Sequence, residues 1–266
     1  MARKRISKPG PFLMHVELLR ERIANPEQYP FSLPVVRHLA RLEFHPKVTF
    51  FVGENGSGKS TLLEAIAIEC GLNPEGGSRN FNFATRESHS ELHQFLRVAK
   101  YPTLASDSYF LRAESYFNVA TAIDVNDEEG RRNSWPGRPI GKSYGEVSLH
   151  EQSHGESFFA LFRNRFRENG LYFLDEPEAA LSPRRQLEFL AMLHDYVQRG
   201  GQFVIATHSP IIMAYPEARI YSFGSDGIRA VNYTETEHYL ITRGFLSNPA
   251  RSLAELLKAD PEVEAE

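Results

Sequence analysis

The chain has 266 residues, 41% of them hydrophobic and 12% aromatic, with 30 basic against 34 acidic side chains and a formal charge of −4. This length and balance predict one compact α/β domain, or two at most, and exclude a disordered, fibrous or broadly cationic chain. No run approaches the roughly 18 apolar residues of a membrane span, the opening MARKRISKPGPF has no apolar signal core, and a lone Cys70 leaves neither a disulfide nor a cysteine-built zinc site. The expectation is a cytoplasmic protein without membrane insertion, a single domain over 1–266.

Residues 12–20, FLMHVELLR, place Phe12, Met14, Val16 and Leu18 on one side and His15 and Glu17 on the other, the period of a half-buried strand. After the proline-marked NPEQYPFSLP, the apolar run from Val48 to Val52 ends in glycine and reads as a buried strand. From Lys59 onward Leu62, Leu63, Ile66, Ala67 and Cys70 recur at helical spacing, with Gly71 as the stop. The Gly-, Asn- and Ser-rich stretch 71–90 reads as a surface loop leading to a short helix around Leu92 to Val98. SYFLRAES is the next strand and YFNVATAI the next helical stretch, followed by a polar insertion at about 124–145 that carries Arg131, Arg132 and Trp135. A helix from Glu156 through Phe166, the strand LYFLD, a helix from Pro183 to Arg199 with Ser182 as N-cap, and the strand FVIAT continue an alternating series. A C-terminal extension at about 216–266 holds the hairpin-like RIYSFGSDGIRAVNY and a final helix through Leu253 to Lys258. There is no internal repeat and no heptad run.

Gly53-Glu54-Asn55-Gly56-Ser57-Gly58-Lys59-Ser60 fits G-x-x-x-x-G-K-[ST], between a buried strand and a helix start. Glycines let such a loop curl so that backbone N–H groups point at phosphate oxygens, and the helix N-terminus adds its positive end. In this reading Gly53, Asn55, Gly56, Ser57 and Gly58 form the cradle and Lys59 reaches the β- and γ-phosphates. Ser60 ligates Mg²⁺ and Thr61 reaches an α-phosphate oxygen. A glycine-rich turn with a chance lysine would not also set strand, loop and helix in register.

Leu174-Asp175-Glu176-Pro177 puts two carboxylates at the C-terminal end of a buried strand, where open α/β sheets hold their ligands. Asp175 is positioned to hold Mg²⁺, directly or through water, together with Ser60. Glu176, one residue further on, can face the attacking water as general base or water-positioning residue. An acidic pair before proline is by itself a common turn; the phosphate loop is what gives this pair its meaning. Ser153-His154-Gly155-Glu156 then opens an amphipathic helix with Phe158, Phe162 and Phe166 on one stripe, and its serine and helix-start N–H groups form a second anion site. Ser153 lies 22 residues before Asp175, and His208, in the strand-end segment Ala206-Thr207-His208-Ser209-Pro210, lies 32 after Glu176.

That order of phosphate loop, S-x-G-E, acidic pair and strand-end histidine resembles the ATP-binding-cassette (ABC) ATPase superfamily over roughly residues 45–215. GENGSGKST and S-x-G-E look most like the soluble branch with the structural-maintenance-of-chromosomes proteins, double-strand-break-repair ATPases and RecF-like recombination factors. FLRAES, SHGES and LDEPEAALSP are similar to compact, stand-alone bacterial AAA-family ATPases of this group. The resemblance implies a P-loop NTPase fold, an ABC-type head with a mixed β-sheet flanked by helices. It also implies ATP and Mg²⁺ as ligands and a homodimer that forms on ATP binding. It makes Ser153, Gly155 and Glu156 the signature loop that meets the γ-phosphate bound by a second subunit, with His154 where the family has a second glycine. It makes Ala180, Leu181 and Ser182 the dimer-contacting loop, and His208 the switch histidine that joins Glu176 and Lys59 in catalysis. For the family's glutamine loop, Gln94 fits by distance from Lys59, but the strand-to-helix junction at Arg112-Ala113-Glu114-Ser115 has the better context, with Glu114 as a water or Mg²⁺ contact. Only 91 residues separate Thr61 from Ser153, so the long coiled-coil arms of the large repair ATPases are absent.

The arginines Arg163, Arg165, Arg167, Arg184 and Arg185, with Arg3, Lys4 and Arg5, fit nucleic-acid contact or solvated helix faces equally well. His45, His150, His194 and His238 have no metal-ligand spacing and read as surface or capping residues. Three functions stay open. The first is an ATPase whose head-to-tail dimer couples nucleotide state to a partner or nucleic acid, in DNA repair or defence. The second is a nucleotide-gated switch with little turnover, and the third the energising subunit of a membrane transporter. No N-K-x-D motif supports a GTPase.

Overall fold

The computed structural model describes residues 11–74, 76–77, 90–112 and 154–258. The described strands are β1 (Leu13–Leu18), β2 (Arg41–Glu43), β3 (Val48–Gly53), β4 (Leu96–Lys100), β5 (Asp107–Arg112), β6 (Gly170–Asp175), β7 (Gln202–Ala206), β8 (Arg219–Gly224) and β9 (Gly227–Val231). The described α-helices are α1 (Pro34–Arg37), α2 (Lys59–Glu69), α3 (His154–Arg165), α4 (Pro183–Gln198), α5 (Glu237–Ser247) and α6 (Pro249–Leu256). A six-stranded sheet has the order β5-β6-β7-β3-β8-β9. It is parallel except for β9, which turns back antiparallel on β8.

The central strands β3, β6 and β7 are buried at every position, because layers cover the sheet on both faces. Side chains still alternate within these apolar runs. Phe50, Tyr172, Leu174, Phe203 and Ile205 join one core with Phe158, Phe162 and Phe166 of the α3 side and Phe189, Leu193 and Val197 of α4. Phe51, Phe173, Val204 and Ala206 join the other, against Leu62, Leu63 and Ile66 of α2 and the inner face of a second, three-stranded sheet of order β2-β1-β4. The buried Gln202 ties the two sheets together: its Oε1 accepts from Phe12 N at 2.7 Å and Leu13 N at 2.8 Å, and its Nε2 donates to Leu13 O at 3.1 Å and His45 O at 3.0 Å. A buried amide with its donors and acceptors engaged fixes a register that apolar packing alone would leave loose.

Three local expectations are corrected. In β1 the buried residues are Leu13, Val16 and Leu18, with Met14 half-buried, since the pairing with β4 shifts register between Leu13 and His15 and an extra residue changes the phase. The segment Leu92 to Val98 is not a helix: Glu91–Phe95 forms a 3-10 turn and β4 follows, pairing Val98 with Val16. So short an apolar run has no decisive period, and the neighbouring strand decides its conformation. The final helix is two helices, broken at Asn248, whose side chain accepts from Arg251 N at 3.1 Å while Pro249 opens α6. Ser182 occupies the N-cap of α4 without a side-chain capping bond. YFNVATAI, the insertion at about 124–145 with Trp135, and Arg3, Lys4, Arg5 and His150 lie outside the described residues. Among the described residues no helix is long and apolar enough to cross a membrane.

Candidate functional site

The parallel sheet brings the ends of β3, β7, β6 and β5 together along its C-terminal edge. Asp175 is opposite Ala206 in one register and Arg112 in the other. At Gly53 the chain leaves β3 with φ +147°, and a Cβ there would lie 2.3 Å from the Phe223 carbonyl oxygen, so only glycine passes. The loop turns on a Ser57 N to Glu54 O bond of 3.2 Å, and α2 starts with Leu62 N donating to Gly58 O at 3.0 Å. Lys59 is 4% exposed, and its ammonium donates to the carbonyls of Gly53 at 2.9 Å and Glu54 at 3.0 Å. Burial pulls its pKa below the ordinary value, while Glu176, Asp175, Glu54 and Glu178 pull the other way.

The Ser57 hydroxyl is buried and has no hydrogen-bond partner among the described residues. An orphaned hydroxyl in a glycine-rich loop at a helix N-terminus fits an anion. Asn55 and Gly56 lie on the exposed rim, where the loop borders a cleft of about 530 Å³ whose far wall is the β8–β9 turn with Glu237 and His238. Thr61 Oγ1 is 3.4 Å from the Tyr29 hydroxyl.

Ser60 Oγ donates to Asp175 Oδ1 at 2.9 Å across 115 residues of chain. A hydroxyl and a carboxylate converging there are hard oxygen donors of the kind that suits Mg²⁺. Arg112 approaches the same carboxylate, Nε to Oδ2 at 3.9 Å, and pairs through its guanidinium with the buried Glu64. The chain then turns sharply. Glu176 sits at φ +50°, a left-handed conformation uncommon for a residue with a side chain, with its N–H donating to Ala206 O at 2.9 Å. The turn places Glu176 Oε1 3.4 Å from His208 Nε2, itself buried and without a hydrogen-bond partner among the described residues. Burial first, and then Lys59, lowers the His208 pKa against the opposing pull of Glu176.

The structure thus gathers Lys59, Ser60, Asp175, Glu176 and His208. Gly155 lies in the first turn of α3 and Glu156 is exposed there, whereas Ser153 and Glu114 lie outside the described residues. Gln94 is exposed in the 3-10 turn before β4, which belongs to the other sheet. Leu181 is buried and Ser182 exposed in the loop before α4. Arg165 is committed to Asp107 at 2.8 Å, Arg184 and Arg185 to Glu188, and Arg163 and Arg185 lie over the Phe159 ring. His45 accepts from backbone N–H groups, and His194 contacts the Tyr215 hydroxyl at 3.1 Å.

Two residues at the site escaped sequence reasoning. Glu178 accepts from Thr207 Oγ1 at 2.8 Å and from His208 N at 2.5 Å, so it fixes the loop that carries the histidine. His238, expected at a surface or cap, is half-buried with Nε2 3.1 Å from His208 Nδ1. Neither has a spacing signal, because both contacts are made by tertiary folding.

Two family models match the chain: one described as an AAA domain over residues 31–151, and a second AAA domain over 140–214 whose description adds "Type IV TA system". The hemin import ATP-binding protein HmuV of Bordetella avium is 29% identical over 166 residues, 58% of this chain and 63% of its own length. The chain therefore spans less than two thirds of that curated relative. The cytochrome c biogenesis ATP-binding export protein CcmA of Rhodopseudomonas palustris is 26% identical over 181 residues, 64% of this chain and 82% of its own. An inward-facing ABC transporter structure of the metal-chelate type superposes with a TM-score of 0.52 at 16% identity, covering 87% of this chain and 88% of that one, a likeness of fold. In motif order the chain is similar to ATP-binding proteins of the ABC type, and in fold to the ATPase of an ABC transporter.

Proposed function

We propose that this chain is an ABC-type ATPase that binds ATP with Mg²⁺ and hydrolyses it as a head-to-tail homodimer, coupling nucleotide state to a partner protein or nucleic acid in repair or defence. The observation that carries the reading is the convergence of Ser60 with Asp175 at 2.9 Å and of Glu176 with His208 at 3.4 Å along one sheet edge, above the buried Lys59. In this mechanism the loop amides from Gly53 to Thr61 and the Ser57 hydroxyl hold the phosphates. Lys59 exchanges its two carbonyl partners for β- and γ-phosphate oxygens, which repay the cost of its burial. Ser60 and Asp175 would hold Mg²⁺, which would supply positive charge to offset that of the phosphates. Glu176 polarises the attacking water and takes its proton, and His208 donates from Nε2 to a γ-phosphate oxygen. Ser153, Gly155 and Glu156 of a second subunit close over that phosphate, and Glu114 adds a water or Mg²⁺ contact. Such chemistry draws on the cytoplasmic ATP pool.

Glu176→Gln keeps the side chain's size and removes its proton acceptance. ATP affinity should survive, turnover should fall on the order of a hundred-fold or more, and ATP should drive monomers into dimers in light scattering, since the trapped nucleotide stabilises the dimer by linkage. Normal turnover would overturn the base assignment, and a monomer under saturating ATP would overturn the dimer. Wild-type phosphate release at a negligible rate would leave a nucleotide-gated switch instead. The named roles of HmuV and CcmA favour a second reading, the energising subunit of a membrane transporter, and co-purification with a membrane protein would support it.

A further inference from the structure

The C-terminal extension meets His208 through His238. His238 is the second residue of α5, and its Nε2 lies 3.1 Å from His208 Nδ1. The extension is pinned to the very segment that carries His208. Tyr233 donates its hydroxyl to Pro210 O at 2.9 Å, and the buried Thr236, which caps α5, lies 3.5 Å from Met213 Sδ. The contact between the imidazoles is therefore held from both sides, by Glu178 on the loop and by these anchors on the extension.

Burial lowers the pKa of both rings, which favours the neutral forms near pH 7. Two neutral imidazoles at hydrogen-bond distance need one N–H and one lone pair between them. A His208 proton on Nδ1 would leave the Nε2 lone pair facing the Glu176 carboxylate oxygen 3.4 Å away, a repulsive pairing. A proton on Nε2 turns that approach into attraction and leaves Nδ1 as an acceptor, so the donor must be His238.

We infer that His238 is a positioning residue: its Nε2–H donates to His208 Nδ1 and holds His208 as the Nε2–H tautomer, its donor directed at Glu176 and the γ-phosphate position. The tautomer assignment concerns the nucleotide-free protein, and its catalytic consequence rests on the hydrolytic reading above. It makes the extension a working part of the site, since any movement of α5 releases the proton on His208 to redistribute.

The test records ¹⁵N imidazole shifts of His208 in the nucleotide-free full chain, for wild type, His238→Ala and His238→Gln, with kcat and KM for ATP measured on each. Wild type should show the Nε2–H tautomer of His208. His238→Ala should give a tautomer mixture and a kcat about ten-fold lower at unchanged KM. His238→Gln, whose amide can donate from nearly the same place, should restore both. A wild-type spectrum with the proton on Nδ1 overturns the inference whatever the variants do, and so does an unchanged His208 tautomer in folded His238→Ala or a folded His238→Gln protein that fails to regain the Nε2–H tautomer. Wild type without ATP turnover would sink the hydrolytic reading, while the spectra would still decide the tautomer.

Discussion

Glu178 shows how a single carboxylate links stability to the site. Its oxygens accept from Thr207 Oγ1 and His208 N, and burial raises its pKa above the ordinary 4.5 despite those bonds. A carboxyl whose folded pKa is raised holds its proton more tightly in the folded state. Its stabilising contribution is therefore complete below the unfolded pKa and is lost as pH rises through the folded value. Glu178→Gln removes this titration and keeps an amide that can accept from His208 N and donate to Thr207. The melting temperature of the variant minus that of wild type should therefore increase as pH rises from below 4.5 toward neutrality. Thermal denaturation across that range checks the sign, and a difference independent of pH would mean that Glu178 ionises as it does in the unfolded chain.

At the scale of elements, the turn from β3 into α2 packs on α1, four residues with Val35 and Val36 buried and Val35 against the loop at Gly58. Gly58 has φ +93°, and a Cβ there would sit 2.6 Å from Val35 Cγ2, whereas Gly56 has φ +77° with open space around it. Gly56→Ala should cost about 1–2 kcal/mol for the left-handed backbone alone. Gly58→Ala should cost about 1–3 kcal/mol more, because Val35 must also move. Denaturant unfolding measures both, and equal losses would show that α1 does not buttress the loop. The elements legible in the sequence were those whose burial imposes a pattern: β3, β6 and β7 as apolar runs, α3 with its phenylalanine stripe, α4 between Ser182 and Gly200. Those that stayed hidden lack such a pattern. β4 is short and chosen by its partner β1, and α5 buries none of its residues, leaving Leu240, Ile241 and Leu246 exposed and relying on its Thr236 cap.

At the scale of the whole molecule, the sheet order brings distant motifs to one edge, so that Ser60 meets Asp175 although they lie 115 positions apart in the chain. The phosphate loop, the acidic pair and His208 were readable in order because each follows a strand that the parallel topology aligns. Glu178 and His238 were not, since their contacts depend on which loop and which terminal helix fold over that edge. The central claim is that each catalytic centre combines the phosphate loop of one subunit with the signature segment of another. Lys59→Ala removes the ammonium proposed to hold the phosphates, and Ser153→Arg would block the proposed opposing segment, so each protein alone should be inactive. A mixed dimer keeps one centre with both halves intact. The decisive measurement is steady-state phosphate release from an equal mixture after subunit exchange has been demonstrated. Recovery of about a quarter of wild-type activity is expected, because half of the dimers are mixed and each retains one of two sites, whereas no recovery would contradict the shared site.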